Sequence, residues 1–339
     1  MLTFPFPQAP AAGTTLELVA GVRWLRMPLP IDLDHINLYL IEDSDGWYIV
    51  DTGMATDETK RYWQQIFDEE LDKPIKGVIC THFHVDHAGL AGWLTNKWQV
   101  PFYMSELEYY YGKASLAPQQ ELFNWQAKQN LQRCGIPLRV MESFPMPDVK
   151  YDQVMGEMPH YFNRLNEADE LMINGNSWKV LIGNGHCPAH ASLYCKALNI
   201  LLSGDQVIAA ITSHVGVNRN EPASNTVEQW LASLPRFFEL PADTLTCPAH
   251  KLPFIGLHER TQELLDHHYG HFEALLGACQ SPKKVIELVP VMFKRPLQGF
   301  NFILGMAECL AHLNCLLERG QLQRTEDEQG CFIFQASVE

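Results

Sequence analysis

The chain has 339 residues, of which 46% are hydrophobic and 19% charged, and its net charge is −15. This length and balance indicate a soluble globular protein with one large core and a smaller appended unit. No run of about 18 apolar residues predicts a membrane span, and the N-terminus lacks the basic and apolar stretches of a signal peptide. Because an acidic chain repels phosphate backbones, nucleic acid is a disfavoured partner, and no membrane partner is expected.

The cysteines indicate the redox compartment. There are nine of them, irregularly spaced and without a CxxC pair. Such usage favours a reducing environment over a disulfide framework, so we expect a cytoplasmic protein. Most of the thiols are expected to be small buried apolar groups.

The first third of the chain alternates between strand and helix patterns. Residues 16–53 contain strand patterns, and residues 59–71 have helical spacing. A short buried strand over residues 76–82 then leads into a histidine-rich segment. Residues 87–98 predict a helix, and residues 100–108 predict a strand followed by the start of a helix. This alternation predicts an α/β layered fold with functional residues at the ends of strands.

Residues 104–165 interrupt the alternation with many Tyr, Phe, Trp and Met residues, and we predict a mostly helical insertion there. Strand patterns return over residues 169–186 and 191–205, each with a hairpin turn. Residues 226–239 predict a helix, and residues 244–250 predict a further strand.

The C-terminal part reads as a separate small unit. Three helical patterns over residues 257–278, 282–293 and 300–320 precede a two-stranded ribbon over residues 321–336. This order predicts a winged-helix-like unit at residues 258–339. The remainder, residues 1–257, is the predicted catalytic domain.

The strongest chemical signal is THFHVDHAG at residues 81–89. His82 and His84 lie on the same side of an extended segment, where both can bind one metal ion. Asp86 and His87 follow where the chain turns into a helix, and they can face a neighbouring ion. Imidazole and carboxylate ligands are typical of zinc, with a water molecule completing the site.

This H-x-H-x-D-H pattern resembles the signature of the metallo-β-lactamase superfamily. The resemblance implies four further motifs in a fixed order, each after a strand, and the chain has a match to each. They are IVDTG with Asp51, GNGHCPAHAS with His186, LLSGD with Asp205 and CPAH with His250. The implied fold is α/β, an αββα sandwich with a helical insertion and a small C-terminal helical (winged-helix-like) unit.

The resemblance also assigns seven of these residues as ligands of two metal ions. The ligands of the first ion would be His82, His84 and His186, those of the second Asp86, His87 and His250, and the ligand shared by both Asp205. Two Zn²⁺ are the expected cofactors, with iron or manganese as alternatives.

Two further acids and a nearby histidine have expected roles. Asp51 is expected to orient the histidine cluster. The implied nucleophile is a hydroxide bridging the two ions, which Asp86 would orient or deprotonate. His190, near the third motif, is expected to stabilise its loop by a hydrogen bond, with substrate contact as the alternative.

Segments from residue 203 onward are similar to a branch of the superfamily related to hydroxyacylglutathione hydrolase. That branch carries a C-terminal winged-helix-like unit. From Arg260 to Glu339 the chain has seven Lys or Arg against ten Asp or Glu. A groove-reading winged helix would normally be basic, so we interpret this unit as packing on the catalytic domain or forming a homodimer contact.

The predicted function is the metal-dependent hydrolysis of a small ester, thioester or lactone. The aromatic insertion could cover the metal site as an apolar lid, which would favour an acyl substrate. Packing of an extra helical layer, or of a dimer interface, explains its composition equally well. The alternative functions are a metal-dependent phosphodiesterase or ribonuclease, a mononuclear iron sulfur dioxygenase, and a non-catalytic metal-binding protein.

Overall fold

The computed structural model of the chain describes residues 1–30, 33–116, 125–137, 151–218 and 220–337. The chain forms two compact units that each draw on several segments. The segments of unit 1 are Met1–Ala117, Val149–Ser213 and Pro235–Thr261, and those of unit 2 are Pro118–Asp148, His214–Leu234 and Gln262–Glu339.

The two units differ from the predicted division into residues 1–257 and 258–339, because residues 214–234 group with the C-terminal part. Hydrogen bonds between distant segments explain this grouping: Asn314 Nδ2 donates to the carbonyl oxygen of Pro222 at 3.0 Å. Local sequence patterns carry no signal for such pairing between residues that lie far apart in the chain.

A seven-stranded sheet forms the first layer of strands in unit 1. Its strands, in spatial and chain order, are β1 (Thr15–Val19), β2 (Val22–Pro28), β3 (His35–Asp43), β4 (Gly46–Val50), β5 (Ile75–Ile79), β6 (Phe102–Ser105) and β7 (Asn163–Leu165). The pairs from β1 to β4 are antiparallel, and those from β4 to β7 are parallel.

A five-stranded sheet forms the second layer. Its strands are β8 (Glu170–Ile173), β9 (Asn176–Gly183), β10 (His190–Cys195), β11 (Ile200–Gly204) and β12 (Leu245–Pro248), in the order β12-β11-β10-β9-β8. The predicted hairpin between β8 and β9 is present, and its turn residues Asn174 and Gly175 have φ values of 50° and 73°. Asn and Gly tolerate such positive φ values, which this hairpin turn requires.

Two apolar cores explain why β3 is buried along most of its length. Leu38 and Leu40 face a core shared with helices, whereas Tyr39 and Ile41 face a core between the two sheets. Alternate side chains of a strand point to opposite faces, so a strand covered on both faces is apolar throughout. Unit 1 therefore has helices, the first sheet and the second sheet as successive layers.

The helices that cover the first sheet follow the strands they connect. They are α1 (Asp57–Glu69), the short α2 (Val85–Ala88) and α3 (Ala91–Trp98). Trp63 and Ile66 of α1 and Leu94 of α3 are buried in the helix-side core. The sequence predicted one helix over residues 87–98, and the structure has α2 and α3 in its place.

The predicted insertion at residues 104–165 contains three described helices, α4 (Glu106–Ser115), α5 (Trp125–Arg133) and α6 (Tyr151–Val154). The predicted lid also involves residues 117–124 and 138–150, which lie outside the described residues. Some of the described aromatic and sulfur side chains are buried in the helix-side core, namely Tyr109, Met155 and Met158. Others, namely Tyr110, Trp125 and Tyr161, are exposed.

Unit 2 is helical with a small sheet. Its elements are α7 (Thr226–Ser233), most of α8 (Leu257–Ala278), β13 (Lys283–Lys284), α9 (Val285–Met292), α10 (Gly299–Glu318), β14 (Leu322–Glu326) and β15 (Phe332–Ala336). The strands pair antiparallel in the order β13-β15-β14. The predicted ribbon is thus β14 and β15, and the two-residue β13 adds a third strand.

One further difference from the predicted elements concerns helix geometry. The predicted helix over residues 226–239 changes at Leu234 from α7 to a 3₁₀ helix, Leu234–Glu239. Pro235 explains the change, because proline cannot donate the backbone hydrogen bond of an α-helix interior. Among the described residues, no helix is both long and apolar enough to cross a bilayer.

Candidate metal centre

The predicted site residues follow strands of both sheets in unit 1. Asp51 follows β4 and His82 follows β5 in the first sheet, whereas His186, Asp205 and His250 follow β9, β11 and β12 in the second. Ends of neighbouring strands meet at one edge of a layered sheet structure, where loops carry chemistry. The structure brings all seven predicted ligands into two adjacent groups at this edge.

The first ligand group consists of His82, His84, His186 and Asp205, whose candidate ligand atoms all lie within 4.8 Å of one another. His82 Nε2 lies 2.8 Å from His84 Nδ1 and 3.3 Å from His186 Nε2. His186 Nε2 lies 3.3 Å from Asp205 Oδ2. Three imidazole nitrogens and a carboxylate oxygen form a set that suits zinc.

The second ligand group consists of Asp86, His87 and His250. Asp86 Oδ2 lies 3.5 Å from His250 Nε2 and 3.7 Å from His87 Nε2. Asp205 lies beside this group as well, with Oδ1 3.4 Å from His250 Nε2 and Oδ2 3.6 Å from His87 Nε2. The Asp205 carboxylate therefore reaches both groups.

Two buried atoms at the centre make no hydrogen bond to the described residues, His87 Nε2 and Asp205 Oδ1. Buried polar atoms are normally paired, because leaving them unpaired costs about 1–3 kcal/mol each. Both atoms point into the ligand groups, and both are the atom type that binds a divalent cation. The donor set therefore fits two metal ions.

Contacts on the far side of each ring determine which nitrogen is available. His87 Nδ1 donates to Asp51 Oδ2 at 2.8 Å, and His250 Nδ1 donates to the carbonyl oxygen of His35 at 2.9 Å. The Thr81 hydroxyl donates to Asp51 and accepts from His82 Nδ1 at 3.0 Å. When each of these three rings is neutral, its lone pair is therefore on Nε2, the atom that faces the ligand groups.

The protonation of the site follows from its buried charges. Burial by itself would lower the pKa of His87, but the carboxylates of Asp51, Asp86 and Asp205 raise it well above its usual value. Burial would raise the pKa of Asp205, yet His250 and His87 hold it well below its usual range. A metal ion that binds His87 must therefore replace a proton.

His190 makes a loop-stabilising hydrogen bond, as expected, but to the loop of Asp205 and not to its own. It is fully buried, and its Nε2 accepts a hydrogen bond from the backbone N–H of Asp205 at 3.0 Å. Burial lowers the pKa of His190 to about 3, which keeps the ring neutral and able to accept. His190 thus positions the loop that carries Asp205.

Some residues that support the site were not predicted from the sequence. Asn37 and Tyr39 on β3 hold the loop of His250: Asn37 Nδ2 donates to the carbonyl oxygens of Pro248 and Lys251 at 2.9 and 2.8 Å, and Tyr39 Oη donates to Pro248 at 2.7 Å. A polar Asn inside an apolar strand is a signal that could have drawn attention to this contact, because buried polar side chains need partners. Glu108, on α4, is a second buried polar residue near the site that was not predicted from the sequence.

Comparison with known proteins agrees with this geometry. A sequence profile described as the metallo-beta-lactamase superfamily matches residues 31–250, well over half of the chain. The chain belongs to the metallo-β-lactamase superfamily. A second profile, described as the metallo-beta-lactamase-like C-terminal domain, matches residues 272–337. The two-sheet fold of unit 1 is thus the fold of this superfamily, followed by a C-terminal helical domain.

One similar solved structure covers nearly the whole chain, and two similar curated proteins cover about two thirds of it. A crystal structure of a beta-lactamase domain protein from Burkholderia ambifaria is 36% identical, covers 99% of this chain and 97% of its own, and superposes with a TM-score of 0.91. The probable metallo-hydrolase YqgX of Bacillus subtilis is 26% identical over 232 residues, 68% of this chain and 90% of the relative. Hydroxyacylglutathione hydrolase GloC of Haemophilus influenzae is 25% identical over 242 residues, 70% of this chain and 96% of the relative.

Proposed function

We propose that the chain is a metal-dependent hydrolase that binds two divalent metal ions and cleaves a small ester, thioester or lactone. The observation that carries this proposal is the Asp205 carboxylate, which lies between the two ligand groups at 3.3 Å from His186 Nε2 and 3.4 Å from His250 Nε2. One carboxylate can thus bind an ion in each group and hold the pair together. The imidazole and carboxylate set favours zinc, and iron and manganese accept the same ligands.

Two bound ions would lower the pKa of a water molecule and stabilise negative charge that develops on the substrate. The side chains of the site supply the remaining roles. Asp86 has 17% of its side chain accessible, against 10% for Asp205, so we assign Asp86 as the carboxylate that orients water and accepts its proton. We assign Asp51 the role of holding the His87 ring in place.

An aromatic wall beside the first ligand group supports an acyl substrate. The Phe83 ring lies 4.8 Å from the His84 ring and 5.7 Å from the Tyr111 ring, centroid to centroid. Apolar surface next to a few polar groups is typical of small-molecule sites. The name of the relative GloC adds support for a thioester, and the net charge of −15 disfavours a polyanion such as RNA.

A substrate panel tests the proposal. The zinc-loaded protein is assayed against an acyl-glutathione, an acyl-coenzyme A, an aryl ester, a lactone and a phosphodiester. We expect turnover of at least one acyl substrate that a chelator abolishes and added zinc restores. Asp205→Asn should lower kcat/KM by more than the about 10–100-fold typical of residues that only support a ligand. Asp68→Asn, an exposed change on α1, is the matched control and should leave kcat/KM unchanged.

Each other outcome points to a different function. Two ions per chain without turnover of any acyl substrate would contradict the proposal and favour a non-catalytic metal-binding protein. Cleavage confined to the phosphodiester would indicate a phosphodiesterase. One iron ion per chain, with oxygen consumption on addition of a persulfide, would indicate a sulfur dioxygenase.

A further inference from the structure

Glu108 is a buried carboxylate beside the metal centre that belongs to neither ligand group. It lies on α4, and its side chain is inaccessible to solvent. Its Oε2 accepts a hydrogen bond from the backbone N–H of Phe83 at 3.1 Å, and its Oε1 accepts one from the backbone N–H of Ala189 at 2.6 Å.

The two backbone segments that Glu108 contacts are those that supply the histidines of the first ligand group. Phe83 lies between His82 and His84, and Ala189 follows His186 in the same loop. One segment extends from the first sheet and the other from the second sheet. A single carboxylate, with one oxygen on each segment, therefore fixes the spacing between them.

The helix that carries Glu108 is held by hydrogen bonds of the residues around Glu108. Ser105, just before α4, donates its hydroxyl to the carbonyl oxygen of Ala189 at 2.7 Å. Tyr109, the next residue after Glu108, donates to the carbonyl oxygens of Pro159 and His160, both at 2.9 Å. These contacts hold the backbone on both sides of Glu108, because Ser105 precedes it and Tyr109 follows it.

A buried carboxylate without a cationic partner is costly, which argues against a merely space-filling role. Within the described residues, no Lys or Arg forms an ion pair with Glu108, and its carboxylate accepts hydrogen bonds from two backbone amides. Moving a charged group out of water costs several kcal/mol unless hydrogen bonds compensate. An apolar side chain could fill this space at lower cost, but it could not join two backbone N–H groups.

We propose that Glu108 is a positioning residue that sets the spacing of His82 and His84 relative to His186, and thereby the metal affinity of the first ligand group. This role rests on the proposed function, since it presupposes that the group binds an ion. The histidines of the second ligand group are held by hydrogen bonds that do not involve Glu108: His87 bonds to Asp51, and His250 bonds to the carbonyl oxygen of His35. Loss of the Glu108 carboxylate should therefore weaken one metal site and spare the other.

Competition with a chelator tests this selectivity. The full-length protein is loaded with Co²⁺, and the bound metal is followed by its visible absorption and by elemental analysis as the chelator concentration rises. We expect two release steps in the unchanged protein. His84→Ala identifies the step that belongs to the first ligand group, because it removes one nitrogen of that group.

Glu108→Gln has nearly the same shape, but its amide nitrogen cannot accept a hydrogen bond from Phe83 or Ala189. We expect the first ligand group to release its ion at a chelator concentration about 10–100-fold lower than in the unchanged protein. The release step of the second group should not change. Glu108→Asp keeps both oxygens on a shorter side chain and should shift the same step less. The matched control is Glu106→Gln on the same helix, where Glu106 is part-exposed and pairs with Arg164 at 2.6 Å; it should move neither step.

The remaining outcomes separate the two proposals. No shift in Glu108→Gln, or an equal shift of both steps, would overturn the positioning role while leaving the proposed function intact. Failure of the unchanged protein to bind two ions would overturn the proposed function and the positioning role with it. Unfolding of both the Gln and Asp variants, monitored by circular dichroism, would assign Glu108 to the overall stability of unit 1 instead.

Discussion

At the scale of single residues, Asp51 shows how a side chain outside the ligand groups controls their geometry. It has a φ of 60° at the end of β4, a left-handed conformation that Asp and Asn tolerate better than other side chains. From there its carboxylate accepts hydrogen bonds from the Thr81 backbone N–H at 2.8 Å and from His87 Nδ1 at 2.8 Å. One acid thus holds the start of the histidine segment and the ring of a predicted ligand.

Asp51→Asn tests that role with the backbone conformation preserved. Asn tolerates the same φ, but it has a single acceptor oxygen, so it cannot replace both carboxylate oxygens that accept hydrogen bonds from Thr81 and His87. We expect zinc affinity to fall by about 10–100-fold, the range typical of residues that support a histidine ligand. Chelator competition measures this change, with the exposed Asp68→Asn as control. An unchanged affinity would show that the His87 ring is held by other contacts.

At the scale of secondary structure, the ends of strands require unusual backbone geometry to deliver the site residues. Gly204 ends β11 with a φ of 51°, and the next residue, Asp205, turns into the site. A side chain at Gly204 would collide with the His190 ring, which accepts the Asp205 backbone N–H. The close approach of these two elements therefore requires a glycine at this point.

Gly204→Ala should destabilise the protein and disturb the site. The added methyl group meets the His190 ring in a packed interior, an overpacking that typically costs about 1–3 kcal/mol, in addition to the left-handed conformation. Gly175→Ala is the matched control, because Gly175 has a φ of 73° but nothing within 4 Å of the added atom; it should cost only about 1–2 kcal/mol. Urea unfolding curves of both variants measure the difference. Equal losses of stability would mean that the His190 ring moves aside freely.

The cap of α1 offers a second test at this scale. Thr56 is the N-cap residue, and its hydroxyl accepts a hydrogen bond from the Thr59 backbone N–H at 3.1 Å. Removing a capping oxygen typically costs about 1 kcal/mol, so Thr56→Ala should lower the free energy of unfolding by that amount. Thr56→Ser keeps the oxygen and should retain most of the stability. Identical unfolding curves for the Ala and Ser variants would contradict the capping role.

At the scale of the whole molecule, unit 2 carries a histidine cluster that is independent of the metal centre. His267, His268 and His271 lie on α8, and His268 Nδ1 contacts His312 Nε2 on α10 at 2.9 Å. Burial, with a smaller contribution from the neighbouring histidines, lowers the pKa of His268 to about 2 and that of His271 to about 4. Both rings therefore stay neutral in the folded unit at pH values where a free histidine is charged.

This cluster predicts that unit 2 loses stability in mild acid. The unfolded chain takes up protons on His268 and His271 as the pH falls below about 6.5, whereas in the folded unit the pKa of His271 is about 4 and that of His268 about 2. The free energy of unfolding should thus decrease as the pH falls from about 6.5 to 4, by at most about 1.4 kcal/mol per pH unit for each histidine. Melting temperatures of the protein and of His268→Phe across this range measure the effect, and the variant should show a smaller pH dependence.

The control for the pH experiment is His160→Gln, which changes an exposed histidine in unit 1. It should leave the pH dependence of the melting temperature as it is in the unchanged protein. If His268→Phe retains the full pH dependence, the acid sensitivity arises elsewhere in the molecule.

Much of the site could be predicted because its residues lie in short contiguous motifs. The histidine segment at residues 81–89 and the single ligands His186, Asp205 and His250 each follow a recognisable strand. The nine cysteines also behave as predicted, since all are buried free thiols. These features depend on local patterns of apolar and polar residues, which the sequence displays directly.

What the sequence alone determined was therefore the superfamily, the layered α/β fold and the identity of the candidate ligands. The tertiary structure decided how the ligands are held: that Glu108 joins two segments, that Asn37 fastens the loop of His250, and that residues 214–234 belong with the C-terminal part. The physical reason is the same in each case. A hydrogen bond between residues far apart in the chain depends on packing of the whole core, and it leaves no periodic mark in the sequence around either partner.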